Sequence, residues 1–144
     1  MSDLLKIVCP HCTATNRVPA ARTADQPKCG KCHQRLFDSH PVTLDEAGFQ
    51  RHIMSNDLPV VVDFWAPWCA PCRMMAPEFE KAAALLEPAV RLGKVNTEEA
   101  QQLALRFNIR SIPTMAIFRN GEEKARHSGA MTAAQIASWV RANV

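Results

Sequence analysis

All six cysteines of this 144-residue chain fall into Cys-x-x-Cys pairs, and this pairing constrains the fold more than any other feature. The pairs are Cys9/Cys12, Cys29/Cys32 and Cys69/Cys72. In a secreted protein an even number of cysteines would indicate a disulfide framework. The first residues contain no apolar run long enough for a secretory signal, so we expect a cytoplasmic protein whose cysteines serve metal or redox chemistry.

The first two pairs have the spacing of a zinc site, because sixteen residues separate Cys12 from Cys29. Zinc prefers four tetrahedral ligands, which two facing turns supply. Pro10 and Gly30 lie inside the pairs, where a tight backbone is needed. The segment between the pairs has few large apolar residues, so the metal would have to provide much of its stability.

We therefore predict a small zinc-ribbon-like domain over residues 1–38 that binds one structural zinc ion. Its ligands would be Cys9, Cys12, Cys29 and Cys32. Two structural disulfides, or free surface thiols, are the alternatives.

The third pair has a different setting, because it follows a β-branched and aromatic run over residues 60–66 that predicts a buried strand. An apolar helical pattern continues to about Leu86. Cys69 would lie at the helix N-terminus, where the helix dipole favours a thiolate, and Cys72 one turn further in. This arrangement suits attack by one thiol and resolution by the other. The alternative, another metal site, lacks a fourth pair of ligands.

Asp63 is unusual because it lies within the apolar strand. Burial would raise its pKa, since an ionised carboxylate is costly to bury. It would then serve as a general base for Cys72. The residues alone leave an alternative equally open, in which the carboxylate turns outward and pairs with Lys94.

The remaining sequence alternates strands and helices after a boundary at residues 38–41. A short strand is expected at Val42, and longer strands over 60–66, 90–95, 114–119 and 122–128. Helices are expected over about 43–54, 70–86, 96–107 and from residue 132 onward, with Asn120-Gly121 as a type I′ hairpin turn. The order β-α-β-α-β-α-β-β-α predicts an α/β domain over residues 39–144, with a mixed central sheet covered by helices.

Residues 63–72 read DFWAPWCAPC, which resembles the active-site signature of thioredoxins. The resemblance covers essentially residues 41–144 and includes the segments 94–96, 109–114, 118–121 and 129–130. With the cysteine-rich head, the chain resembles the thioredoxin-2 type, which carries an N-terminal zinc-binding extension. The family implies the thioredoxin fold, a mixed five-stranded sheet flanked by four helices. One departure is Ala70, where the family usually has glycine.

The resemblance also implies roles for individual residues. Cys69 would be the nucleophile, Cys72 the resolving thiol and Asp63 the proton acceptor. The Ile112-Pro113 peptide bond would be cis and would face the dithiol. Substrate would contact Trp68, Pro71, Ile112 and Pro113, while Trp65 and Lys94 would support the site.

These observations predict a protein-disulfide reductase with a redox-active Cys69–Cys72 disulfide. Its partners would be disulfide-containing proteins and, as the resemblance implies, an NADPH-dependent thioredoxin reductase, and it would be a monomer. An alternative is a redox sensor or chaperone-like protein switched by zinc release. A net charge of +3 is too small to indicate nucleic acid, and no apolar run approaches the roughly 18 residues of a membrane helix.

Overall fold

The chain folds into two sheets, one in the cysteine-rich head and one in the remaining body. The computed structural model describes residues 3–144. The head contains strands β1 (Leu4–Val8) and β2 (Thr15–Pro19), followed by a 3₁₀ turn (Ala20–Arg22). The body contains β3 (Val42–Thr43), α1 (Glu46–Ser55), β4 (Val60–Trp65), α2 (Ala70–Leu86), β5 (Arg91–Asn96), α3 (Gln101–Arg106), β6 (Thr114–Arg119), β7 (Glu122–Ser128) and α4 (Ala133–Ala142).

The body sheet has the strand order β3-β5-β4-β6-β7. Strands β3, β5 and β4 run parallel to one another. Strand β6 pairs antiparallel with β4, and β7 pairs antiparallel with β6. The parallel strands are connected through helices, as crossover connections require. This is the mixed five-stranded sheet with four helices that the sequence predicts.

Both faces of the sheet are covered, so successive residues of β4 enter different apolar clusters. Val61 packs with Met75 and Phe79 of α2, and with residues of α4. Val62 and Phe64 pack on the opposite face with residues of α1 and α3. Because side chains alternate along a strand, Asp63 shares the face of Val61 and lies toward α2.

Two local predictions in the body are confirmed. Asn120 and Gly121 have positive φ angles of 53° and 81°, as a type I′ turn requires. Thr132 and Gln135 form a reciprocal capping box at the start of α4.

The predicted starts of α1 and α3 are wrong by a few residues. Thr43 lies in β3, and the N–H of Leu44, directly after the strand, donates to the Lys94 carbonyl, so Asp45 becomes the cap of α1. Before α3, the Asn96 side chain accepts the Glu98 N–H. This local hydrogen bond forms a turn instead of a helix cap.

The head is a hairpin whose apolar cluster includes a residue of the body. Strands β1 and β2 pair antiparallel, and Ile7, Val18 and Leu36 are buried together with Leu58. The backbone of Lys6 exchanges hydrogen bonds with Asp57, whose carboxylate and N–H lie 2.7 and 2.8 Å away. The head therefore depends on the body for part of its core. Within residues 3–144, every helix is too short or too polar to traverse a bilayer.

Candidate active site and metal centre

Cys69 and Cys72 lie where β4 passes into α2, and they form a disulfide. Cys69 is the cap of α2, and its Sγ accepts the N–H of Cys72 at 3.2 Å. Only 5% of Cys69 and 2% of Cys72 is exposed. In the reduced protein, the same N–H and the helix dipole would favour the thiolate of Cys69.

Asp63 is 1% exposed, and neither carboxylate oxygen has a hydrogen-bond partner among residues 3–144. Burial raises its pKa to about 7, although the charge of Lys94 acts in the opposite direction. The Lys94 ammonium lies 4.6 Å from the centre of the Trp65 ring. The alternative in which Asp63 turns outward and pairs with Lys94 is therefore wrong.

The Ile112-Pro113 bond is cis, as the resemblance implied. The Ile112 carbonyl oxygen lies 3.7 Å from the Sγ of Cys69. Pro113 itself is buried, whereas Pro71 is exposed on the first turn of α2. The two sulfurs thus have the backbone of the cis-proline segment on one side and the first turn of α2 on the other.

A groove of about 390 Å³ borders the dithiol on the side of α3. Trp68, which is 65% exposed, and Ile112 contribute to its wall. Trp65 is half-buried, and its ring N–H lacks a hydrogen-bond partner within the described chain. The structure therefore brings Trp68 and Ile112 into the wall of one groove, whereas Pro71, Pro113 and Trp65 are not among its lining residues.

Sequence reasoning missed Leu105 and Arg110, which also line this groove. Leu105 is 74% exposed, yet the apolar periodicity of α3 makes it resemble an ordinary core residue. The one sequence signal for this part of the groove was the family resemblance over residues 109–114, which includes Arg110 but not Leu105.

The predicted zinc ligands meet at one end of the head. The four Sγ atoms of Cys9, Cys12, Cys29 and Cys32 all lie within 4.8 Å of one another. The Cys9–Cys32 and Cys12–Cys29 sulfur pairs are each 3.6 Å apart. A tetrahedron with Zn–S distances of about 2.3 Å has S···S edges of about 3.8 Å, so the arrangement fits zinc.

The two pairs of ligands lie on turns of the same construction. Thr13 and His33 have φ angles of 64° and 65°, and their N–H groups donate to the carbonyls of Cys9 and Cys29. Positive φ therefore falls on the residue after each pair, rather than on Pro10 or Gly30.

Backbone N–H groups of the two turns also donate hydrogen bonds to the ligand sulfurs. The His11 and Lys31 N–H groups donate to Cys9 and Cys29 at 3.3 Å. A backbone hydrogen bond from Cys32 lowers the pKa of the Cys29 thiol to about 5, whereas burial raises the pKa of Cys9 to about 12. A bound zinc ion would supply the positive charge that holds all four sulfurs as thiolates.

Comparison with known proteins agrees with both parts of the structure. The Thioredoxin family model matches residues 40–142, and a model described as Thioredoxin 2, N-terminal, matches residues 8–34. Thioredoxin C-3 of Corynebacterium nephridii is 44% identical over 134 residues, which cover 93% of this chain and 92% of that protein. A thioredoxin of Rickettsia bellii is 38% identical over 101 residues, covering 70% of this chain and 96% of the relative.

The crystal structure of Malassezia sympodialis thioredoxin (Mala s 13) superposes with a TM-score of 0.64 at 31% identity. The match covers 70% of this chain and 88% of that chain. The chain therefore belongs to the thioredoxin family and is a protein-disulfide oxidoreductase.

Proposed function

We propose that this protein reduces disulfides of other proteins, with Cys69 as the nucleophile and Cys72 as the resolving thiol. The observation that carries the proposal is the position of Cys69 at the N-terminus of α2, beside the exposed groove of Trp68 and Ile112. Cys72 lies deeper in the same helical turn. Both sulfurs are nearly buried in the disulfide, so the order of attack rests on the position of Cys69 at the helix N-terminus next to Trp68.

The exchange proceeds in two steps. The Cys69 thiolate attacks one substrate sulfur, a mixed disulfide forms, and the other substrate sulfur leaves as a thiolate that takes up a proton. The Cys72 thiolate then attacks the Sγ of Cys69, the bond between Cys69 and the substrate breaks, and the second substrate sulfur leaves as a thiolate that takes up a proton. The substrate gains two electrons, and the Cys69–Cys72 disulfide remains.

Asp63 receives the proton that Cys72 must lose before the second step. It lies on β4 toward α2, the helix whose first turn carries Cys72. With a pKa of about 7, its carboxylate accepts a proton readily near neutral pH. Lys94 supports this site because its charge moderates the pKa of Asp63, and Trp65 supports it through the contact of its ring with the Lys94 ammonium.

The groove receives the polypeptide that flanks the substrate disulfide. Trp68 and Ile112 contribute to its wall, Pro71 and Pro113 extend the contact region beside the dithiol, and the Ile112 carbonyl oxygen lies 3.7 Å from the Sγ of Cys69. The protein partners are disulfide-containing substrates and an NADPH-dependent thioredoxin reductase, which returns the disulfide to the dithiol.

Residues 1–38 form the zinc domain and residues 39–144 the redox domain, and the protein acts as a monomer in the cytoplasm. Cys9, Cys12, Cys29 and Cys32 hold one zinc ion whose role is structural. The ion crosslinks the two turns of a head that has only a small apolar cluster of its own.

Dithiothreitol-driven reduction of insulin tests this function without a cognate reductase. Wild type should accelerate the precipitation of reduced insulin chains, and Cys69→Ser should reduce the rate to that of dithiothreitol alone. Cys12→Ser, with zinc content measured in parallel, is a matched cysteine substitution outside the redox site and should retain insulin reduction. Equal acceleration by wild type and Cys69→Ser would remove Cys69 from the mechanism.

A further inference from the structure

The head carries a set of cations that disulfide exchange does not use. We call them the head cation face: Lys6, Arg17, Arg22, Lys28 and Arg35. All five are exposed, and within residues 3–144 none has an ion-pair partner. The Asp57 carboxylate accepts from the backbone N–H of Lys6, not from its ammonium group.

Two pairs of these cations lie directly opposite each other. Lys6 faces Arg17 across the β1–β2 ladder, and Lys28 faces Arg35 across an isolated antiparallel bridge. Residues opposite each other in such pairs project to the same side, and like charges there are destabilising. Repulsion between these paired cations therefore lowers the stability of the head, and a bound anionic partner would reduce that repulsion.

A groove of about 290 Å³ joins the two pairs. It is lined by Arg17 and Lys28, one from each pair, together with Arg22. Asp25 is the acidic residue in its wall. Three cations thus converge on a concave surface large enough for one or two carboxylate side chains, with which arginine pairs well.

The excess of basic side chains belongs to the head. Residues 1–40 contain six lysines and arginines against three aspartates and glutamates, whereas residues 41–144 contain eleven of each kind. A zinc ion held by four thiolates would lower the formal excess in the head from three to one. The attraction for an acidic partner therefore comes from the local cluster of cations around the groove rather than from the net charge.

We propose that the head cation face binds acidic segments of disulfide-bearing protein substrates and so selects which proteins Cys69 reduces. This inference rests on the proposed reductase function. Residues 1–40 contain one aromatic residue, Phe37, which is half-buried beneath the Arg91 guanidinium. Because proteins that bind single-stranded nucleic acid combine a basic groove with aromatic stacking platforms, the lack of exposed aromatic rings here favours a protein partner.

The acidic segment must lie at some distance from the disulfide that is reduced. Arg91, at the start of β5, contacts the head, whereas Cys69 follows the other end of the neighbouring strand β4. A six-residue strand spans about 20 Å. Suitable substrates therefore carry the acidic segment and the disulfide on well-separated or flexibly linked parts.

The first experiment measures binding to the zinc-loaded full chain by fluorescence anisotropy. The probes are labelled oligoglutamate, oligoglutamine and oligothymidylate. The variant is Arg17→Gln/Arg22→Gln/Lys28→Gln, and the matched control is Lys81→Gln/Arg119→Gln/Lys124→Gln, which removes three exposed cations from the body. Zinc content verifies that each variant retains its head.

Oligoglutamate should bind wild type and the control equally, and the head variant at least about tenfold more weakly. On wild type, binding should weaken as salt rises from about 0.05 to 0.5 M, a test that needs no substitution. Equal oligoglutamate binding by wild type and head variant overturns the proposal, as does tighter binding of oligothymidylate to this face.

The second experiment links binding to reduction. A disulfide-bonded test protein carries an oligoglutamate or oligoglutamine tail on a flexible linker, and is also used without a tail. Wild type should show a KM at least about threefold lower for the glutamate tail at unchanged kcat, and the head variant should lose this difference. Equal KM values with all three substrates overturn the inference and leave the reductase function standing. Failure to reduce even the untailed substrate would instead contradict the proposed function.

Discussion

Asp63 illustrates how a single side chain links stability to chemistry. The residues alone left two positions equally open, a buried carboxylate among valine and phenylalanine or an outward one paired with Lys94. The direction of its side chain could not be predicted, since both faces of the sheet are covered and alternation alone does not say which face receives the carboxylate. The structure places it toward α2, where no hydrogen bond from the described residues offsets the cost of ionisation.

Asp63→Asn should stabilise the protein in a manner that depends on pH. The pKa of about 7 in the folded protein lies above the ordinary value of 3.8, so the native state loses stability as pH rises through this interval and stays less stable above it. A difference of this size corresponds to roughly 4 kcal/mol as an upper bound.

Urea unfolding of wild type and Asp63→Asn at about pH 8.5 and about pH 5.5 measures this effect. The variant should be more stable at the higher pH, and its advantage should shrink at the lower pH. A stability difference that is the same at both pH values would mean that Asp63 does not titrate between them.

Between elements, the start of β5 joins the redox body to the zinc head. The Arg91 side chain is fully buried, donates to the carbonyls of Val8 and Leu36, and pairs with Glu87 at 3.2 Å. Glu87 in turn accepts the Ser39 N–H, which fixes the linker. Sequence reasoning predicted β5 but missed this contact, because a lone arginine at a strand end is usually solvated.

Arg91→Met should destabilise the protein by about 3–5 kcal/mol, because Glu87 would remain buried without its partner. Adding Glu87→Leu should recover part of the loss, since the pair is then replaced by apolar groups. Urea unfolding of the single and double variants measures both changes. An Arg91→Met protein within about 1 kcal/mol of wild type would show that the buried pair does not hold head and body together.

The starts of α1 and α3 show why element boundaries were harder to predict than elements. Thr43 and Asn96 both have side chains that favour helix caps. Sheet pairing occupies the first, and a turn within its own segment occupies the second. Capping propensity is local, whereas the choice among caps, strands and turns depends on neighbouring strands.

For the molecule as a whole, the boundary at residues 38–41 separates two sheets but not two independent cores. Leu58 of the body completes the apolar cluster of the head, and Asn56 accepts the Val8 N–H at 2.7 Å. The sequence predicted the zinc ligands from their spacing. The shared interface was not predictable, because nothing in the pattern of one segment specifies the surface on which it packs.

Zinc removal should therefore lower the thermal stability of the entire chain. Loss of the metal unfolds the head, and the body then loses the partners of Arg91, Asn56 and Leu58. Calorimetry with and without chelator should show the Tm of the main transition falling by at least about 4 °C, and restored zinc should reverse the change. An unchanged main transition would show that the body is stable without the head.

The central claim assigns attack to Cys69 and resolution to Cys72, and intact-mass analysis of two variants tests it most directly. Each variant is incubated with a disulfide-bonded protein substrate and then analysed under non-reducing conditions. Cys72→Ser should accumulate a mixed disulfide through Cys69, whereas Cys69→Ser should form little adduct, because Cys69 lies at the helix N-terminus next to Trp68 of the groove and Cys72 lies inside the helix. Adduct formation by Cys69→Ser at a rate equal to that of Cys72→Ser would contradict the assignment.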